Sequence, residues 1–133
     1  MSDNVFIDSN IALYLLDTDA EKSAKALNLI KQHPIISTQV VLEVVNICLK
    51  KFKFSKADAY LNARLLMNTC TVRLIDETTL TSAFDVSLRY QLSHWDSLII
   101  AAALQNNCTV LYSEDLQHLQ IIENHLTILN PFL

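Results

Sequence analysis

Val5-Phe6-Ile7-Asp8-Ser9-Asn10 joins three apolar residues to an acid and two small polar ones, and an apolar helical run, Ile11-Ala12-Leu13-Tyr14-Leu15-Leu16, follows at once. A short, wholly apolar segment bounded by polar residues is the pattern of a strand buried on both faces of a parallel sheet. Asp8 then falls at the carboxyl end of a central strand, where open α/β sheets place their ligands.

The residues on either side alternate between strand and helix patterns. Strand one is expected over Asn4–Asp8, with Ser9 or Asn10 capping a short helix to about Leu16. Asp19 caps a helix that runs to Gln32, where His33-Pro34 stops it because a residue before proline is pushed out of the α region. Strand two follows at Pro34–Ser37, and Ser37 or Thr38 caps a helix to about Lys51 whose apolar stripe is Val40, Val41, Val44, Val45, Cys48 and Leu49. Ser55 caps a further helix to about Asn68, with Tyr60, Leu61, Leu65 and Leu66 expected to face inward. Strand three is read at Thr71–Ile75, and Asp76-Glu77-Thr78 opens a helix to Arg89-Tyr90. Ser93-His94-Trp95-Asp96 leads into a helix ending at Gln105, so apolar from Leu98 to Leu104 that burial on all sides is predicted. Cys108–Tyr112 reads as strand four, Leu116 to His118 as a short helix, and Leu126–Leu129 as a last strand. Such alternation implies an α/β fold: one three-layer α/β/α domain over residues 1–133, with a central parallel sheet of four to five strands and right-handed crossovers.

Composition narrows the chemistry. Of 133 residues, 51% are apolar and 18% charged, enough for a proper core at this length. No apolar run reaches the roughly 18 residues of a membrane span, and Met1-Ser2-Asp3-Asn4 lacks a basic signal-peptide start, so a cytoplasmic, membrane-free protein is expected. The three cysteines, Cys48, Cys70 and Cys108, match no zinc spacing and read as small buried hydrophobes. Glycine is absent, which excludes a P-loop and a GxGxxG fingerprint. Positive-φ positions are expected to fall mostly to Asn or Asp, as at Asn106-Asn107 after a helix. The net charge of −4 argues against a general nucleic-acid clamp. Six of the ten basic residues nevertheless lie between Lys50 and Arg73, and Lys50, Lys51 and Lys53 are candidates for binding phosphate.

Four acids stand out by position. Asp8 and Asp115 each follow a strand of the expected parallel sheet, so they share one edge. Asp96 opens a helix, where it can also serve a capping box with Ser93. Glu43 sits between Val40-Val41-Leu42 and Val44-Val45, where an ionised carboxylate needs a partner or a metal. Helices that follow parallel strands begin at the carboxyl edge, so all four can meet in one cleft. Carboxylates in such company need protons or cations, and an oxygen-rich site suits Mg²⁺ or Mn²⁺. Such an ion can activate water and stabilise charge on a phosphodiester. His94, beside a helix start and with four acids at hand, and Trp95 read better as structural residues than as a ligand and a base-stacking platform.

Four segments carry a resemblance: Phe6-Ile7-Asp8-Ser9-Asn10-Ile11, then Ser37-Thr38-Gln39-Val40-Val41-Leu42-Glu43, then His94-Trp95-Asp96-Ser97-Leu98-Ile99-Ile100-Ala101-Ala102-Ala103, and Leu111-Tyr112-Ser113-Glu114-Asp115-Leu116. In order and spacing the chain resembles PIN-domain ribonucleases of the VapC kind, the toxins of toxin–antitoxin pairs. The resemblance implies that Asp8, Glu43, Asp96 and Asp115 form a catalytic Mg²⁺ or Mn²⁺ site, supported by Asn10 and Ser113. It further implies endonucleolytic cleavage of RNA, a homodimer, and a cognate antitoxin that covers the site. One departure is visible: Asp115-Leu116-Gln117-His118-Leu119-Gln120 lacks the glycine that members often carry after the last acid.

Other classes match less well. A catalytically inactive scaffold binding RNA or protein has no reason to keep four acids in apolar surroundings. Receiver domains use an adjacent acid pair after the first strand and a lysine after the last, yet Asp8 has no acidic neighbour and no lysine follows Lys56. Phosphatases of the haloacid dehalogenase type need Asp-x-Asp where this chain has Asp8-Ser9-Asn10.

Overall fold

A computed structural model describes residues 4–133. Its elements are β1 (Asn4–Ile7), α1 (Ser9–Leu13, prolonged by a 3-10 turn over Tyr14–Leu16), α2 (Ala20–Ile30), β2 (Ile35–Ser37), α3 (Thr38–Lys50), α4 (Lys56–Thr69), β3 (Thr71–Arg73), α5 (Glu77–Tyr90), α6 (His94–Gln105), β4 (Cys108–Tyr112), β5 (Ile121–Ile122) and β6 (Leu126–Leu129). The strands form one sheet in the order β3-β2-β1-β4-β6-β5. Five of them are parallel, and only the two-residue edge strand β5 runs antiparallel, against β6. Helices flank this sheet in the three-layer arrangement expected.

The strand order fixes where a ligand can sit. From β1 the chain steps outward through β2 to β3, then returns to lay β4 against the other side of β1. That reversal opens a crevice beyond the carboxyl ends of β1 and β4, the switch point at which doubly wound sheets bind ligands. Apolar packing holds the crevice rigid from below. Phe6, Ile7, Ile36, Leu111 and Ile128 on the sheet are fully buried, as is Ile100 on α6. Every residue of α6 from Ser97 to Ala103 is buried, as its all-round apolar sequence demands. All three cysteines are free and buried.

Several expectations need correction. Helix α4 turns Ala59, Ala63 and Leu66 inward, whereas Tyr60, Leu61 and Leu65 are 47%, 55% and 56% exposed. The alanines let the α4 backbone approach its neighbours closely, and this leaves the longer apolar side chains outside. Strand three ends at Arg73 rather than Ile75; there the Ile75 N–H bonds the Thr38 hydroxyl at 3.3 Å, and Asp76 caps α5 in a capping box with Thr79. No helix forms at Leu116 to His118. That stretch is a turn, and Leu119 N–H bonds Ile128 O at 2.7 Å to lead the chain into the β5–β6 hairpin. Nor are the left-handed positions mostly Asn or Asp. Among the described residues His33, Lys53, Gln91, Asn107, Leu119, Glu123 and Asn124 have positive φ, and only Asn107 and Asn124 are asparagines. Glu123 and Asn124 make the hairpin turn, closed by His125 N–H to Ile122 O at 3.0 Å. Asn107 follows α6 as expected. Leu119, at φ 70°, adopts the left-handed conformation in the segment that lacks the glycine.

Candidate metal centre

Asp8 is the anchor of the crevice. Its N–H continues the β1–β4 ladder to Tyr112 O at 3.0 Å, so its backbone is fixed by the sheet. The side chain then caps α1: Oδ1 accepts from Ser9 N–H at 2.7 Å. The cap expected of Ser9 or Asn10 therefore belongs to Asp8, because only the residue leaving the strand has the extended backbone that an N-cap requires. Asp8 Oδ2 accepts from the Ser113 hydroxyl at 2.9 Å. Ser113 is held in turn by its own N–H on Leu129 O at 3.0 Å.

Asn10 ties the two strand ends together. Its Nδ2 lies 3.1 Å from Asp115 Oδ2 and 3.4 Å from both Asp8 Oδ2 and Ser113 Oγ. Its Oδ1 accepts from Glu114 N–H at 3.2 Å, so one amide spans α1 and the loop after β4. Asp115 N–H bonds Ser113 Oγ at 3.2 Å, which completes the loop.

Asp96 and Glu43 approach from helices. Ser93 caps α6 by accepting from Asp96 N–H at 3.1 Å, while the reciprocal carboxylate bond of a capping box is not formed. Glu43 lies in the second turn of α3, half-buried, and its Oε1 is enclosed without a hydrogen-bond partner. The electrostatics place these acids in one field. Burial pushes the Asp8 carboxyl above its ordinary value, and the charges of Asp115 and Asp96 push it further. Burial likewise raises Glu43, with the charges of Asp8 and Asp96 adding to it and the Ser9 and Gln39 side chains opposing it. Asp8 is therefore in electrostatic contact with the other three.

The donor set suits a hard divalent cation. It is all oxygen, it carries more negative charge than its surroundings offset, and Glu43 Oε1 is a buried acceptor awaiting a partner. The same edge holds further unpaired buried oxygens: Ser37 Oγ at the end of β2, Gln39 Oε1 in the first turn of α3 and Ser97 Oγ near the start of α6. Among the described residues, however, no three acids, histidines or cysteines close into a cage that could hold an ion by themselves. Mg²⁺ tolerates this arrangement, since it keeps several waters and takes one or two carboxylates directly.

His94 stands apart from this chemistry. Its ring stacks on Phe84 with centroids 6.0 Å apart, and Trp95 meets it edge-on at 5.1 Å. Trp95 is exposed and lines a shallow groove with Leu42 and Glu43. The basic stretch is not one face. Lys51 lines the cleft that contains Asn10 and Asp115, Arg64 lines a second depression and Arg73 a third. Lys50 and Lys53 are exposed and line none of these. Sequence reasoning missed a tether beside Asp115. Lys22 Nζ lies 3.2 Å from Glu114 Oε2 and 3.3 Å from the Tyr14 hydroxyl, and that hydroxyl donates to Glu114 Oε1. Glu114, next to a candidate ligand, was the available signal; its partners lie too far off in sequence to be read.

The switch point of this α/β sheet carries Asp8 and Asp115, tied through Asn10, and no glycine loop. The PIN-domain family model matches residues 5–123, and the chain belongs to that family. The fold is shared with a toxin–antitoxin complex from Klebsiella pneumoniae, at 18% identity and TM-score 0.73 over 96% of this chain and 98% of that one. It is shared with DNA-bound VapBC from Salmonella typhimurium, at 14% identity and TM-score 0.72 over 96% and 97%. It is shared also with VapC20 of Mycobacterium tuberculosis, described as a sarcin-ricin loop cleaving toxin, at 16% identity and TM-score 0.68 over 84% and 92%. No curated protein matches the sequence.

Proposed function

We propose that the chain is a Mg²⁺- or Mn²⁺-dependent endoribonuclease, the toxin of a toxin–antitoxin pair, with residues 1–133 acting as one PIN domain. The observation that carries this reading is the hub at Asn10, which joins Asp8, Ser113 and Asp115, while the charge of Asp96 presses on Asp8 and those of Asp8 and Asp96 on Glu43. Asp8, Glu43, Asp96 and Asp115 would hold the ion. When bound, it supplies Lewis acidity, lowering the pKa of water and offsetting the charge that builds on a phosphodiester. The chain's own groups set the stage. The Ser113 hydroxyl and the Asn10 amide fix the rotamers of Asp8 and Asp115, and Ser9 N–H holds the other Asp8 oxygen. Donors that hold ligating carboxylates typically govern metal affinity or activity by 10–100-fold. The toxin–antitoxin complexes named above support a cognate antitoxin as the partner; a cytoplasmic setting and pairing of two copies of the chain belong to the same proposal.

The test is cleavage of labelled RNA by purified wild type, Asp96→Ala and Asp96→Asn in Mg²⁺, in Mn²⁺ and in chelator. Wild type is expected to cut only with metal, and both variants to lose more than about 100-fold, beyond what an outer partner costs. Equal activity in all three proteins, or full activity in chelator, would sink the mechanism.

A further inference from the structure

A cleft of about 430 Å³ opens directly beside the acids and shares Asn10 and Asp115 with them. Lys51 and Phe52, just past the end of α3, and Tyr14 also line it. This volume falls within the range of small-molecule sites. Its charges are sorted in a telling way. Glu114 is occupied by Lys22 and Tyr14. Asp17 accepts from Asp19 N–H at 2.8 Å. Lys51 makes no ion pair among the described residues and is the one cation lining the cleft, facing the carboxylates of Asp17 and Asp115, which make none either. Its backbone is nonetheless fixed, with N–H on Ile47 O at 2.9 Å, so the ammonium swings from an anchored point. Phe52 and Tyr14 are only partly buried and line the same cleft, Tyr14 meeting Phe132 edge-on at 4.7 Å and Phe52 tilted against Phe54 at 5.9 Å. An unpaired cation, aromatic surface and a wall of metal-site acids together match a phosphate, a base and a neighbouring phosphodiester.

We propose that this cleft is a nucleotide subsite: it seats the residue flanking the bond that is cut, with Lys51 on a phosphate and Phe52 and Tyr14 against the base. The assignment rests on the reading of the acids as an RNA-cutting centre, and it separates Lys51 from Lys50 and Lys53, which line no part of the cleft.

The test is binding of a fluorescein-labelled single-stranded oligoribonucleotide, followed by anisotropy in chelator across a salt series. Wild type is compared with Lys51→Ala, Phe52→Leu and Lys56→Ala. Lys56 is exposed and lies outside the cleft, so that variant matches the charge change alone. Lys51→Ala is expected to lower the slope of log affinity against log salt by about one. Phe52→Leu is expected to weaken binding roughly five-fold or more. Lys51→Ala is exposed and its folding is not at risk, so the result does not hang on Phe52. Cleavage by wild type with Mg²⁺ is measured in parallel. If wild type cuts RNA while Lys51→Ala and Lys56→Ala bind alike, the subsite is overturned and the cutting centre stands. If wild type binds with the expected Lys51 dependence but never cuts, the cleft binds RNA with no cut bond to flank, and the nuclease reading and the flanking assignment are overturned together. No binding and no cleavage overturns both.

Discussion

Replacing Asn10 by Asp tests the acid cluster without changing shape. The substitution keeps an acceptor for Glu114 N–H but removes the Nδ2 donor that lies 3.1 Å from Asp115 Oδ2, and it adds a fifth carboxylate. Loss of a hydrogen bond to a charged group costs about 1.5–3 kcal/mol. Two charges at this separation repel by about 1 kcal/mol in a water-like medium and about 5 kcal/mol at an effective dielectric of 20. Asp115 is exposed, so the lower end applies. A net destabilisation of about 2–4 kcal/mol is expected. Unfolding entropy at this chain length is about 0.28 kcal/mol/K, so Tm should fall by roughly 7–14 °C in chelator. Added Mg²⁺ stabilises whichever fold binds it, and the extra carboxylate gives the variant a further ligand. Excess Mg²⁺ should therefore shrink the gap by about half or more. Differential scanning fluorimetry with and without Mg²⁺ measures both numbers. A gap below about 3 °C in chelator, or one indifferent to Mg²⁺, would refute the idea that Asn10 holds apart carboxylates meant for a cation.

Other outcomes follow from the same structure. Ala63→Leu should cost about 1–3 kcal/mol by overpacking under α4, whereas Leu61→Ser on its exposed face should stay within about 0.5 kcal/mol; denaturant titration separates them. Burial pushes the Cys70 thiol up to about 11 and Cys108 to about 12, so maleimide at pH 8 should leave both unlabelled in the native protein and label them after denaturation. The Asp76 carboxyl is held below its usual value by bonds from Thr79 and Gln105. Its contribution to stability is thus present above the ordinary carboxylate range and lost as pH falls through the depressed folded value. The Tm difference between wild type and Asp76→Ala should be widest near neutrality and close on acidification; a gap independent of pH would count against the cap.

The sheet and the shared edge of Asp8 and Asp115 were legible because each rests on a pattern that survives without neighbours. Phe6-Ile7 and Val110-Leu111 are apolar runs only a buried strand tolerates, and parallel connection places Asp8 and Asp115 on one edge whatever the loops do. Other features depended on choices the sequence leaves open. Helix α4 has apolar residues on both faces, Ala59 and Ala63 on one and Leu61 and Leu65 on the other, and only packing decides which is buried. The cap of α1 passed to Asp8 because the strand sets its backbone first. The Lys22–Glu114–Tyr14 tether joins residues from three separate segments, and no local signal announces such a meeting.

The seven left-handed residues among those described, none of them glycine, carry a consequence for the unfolded chain. Each non-glycine residue held there costs on the order of 1 kcal/mol of local strain. A chain without glycine also wanders less when unfolded, and each glycine forgone is worth roughly 0.4–1 kcal/mol in conformations that need not be surrendered on folding. Much of what Leu119 and Glu123 lose in the native turns is thus recovered from a stiffer denatured ensemble. Glycine placed at Leu119 would relax the turn yet loosen the unfolded chain, and the loop behind the acids would gain freedom with little gain in stability.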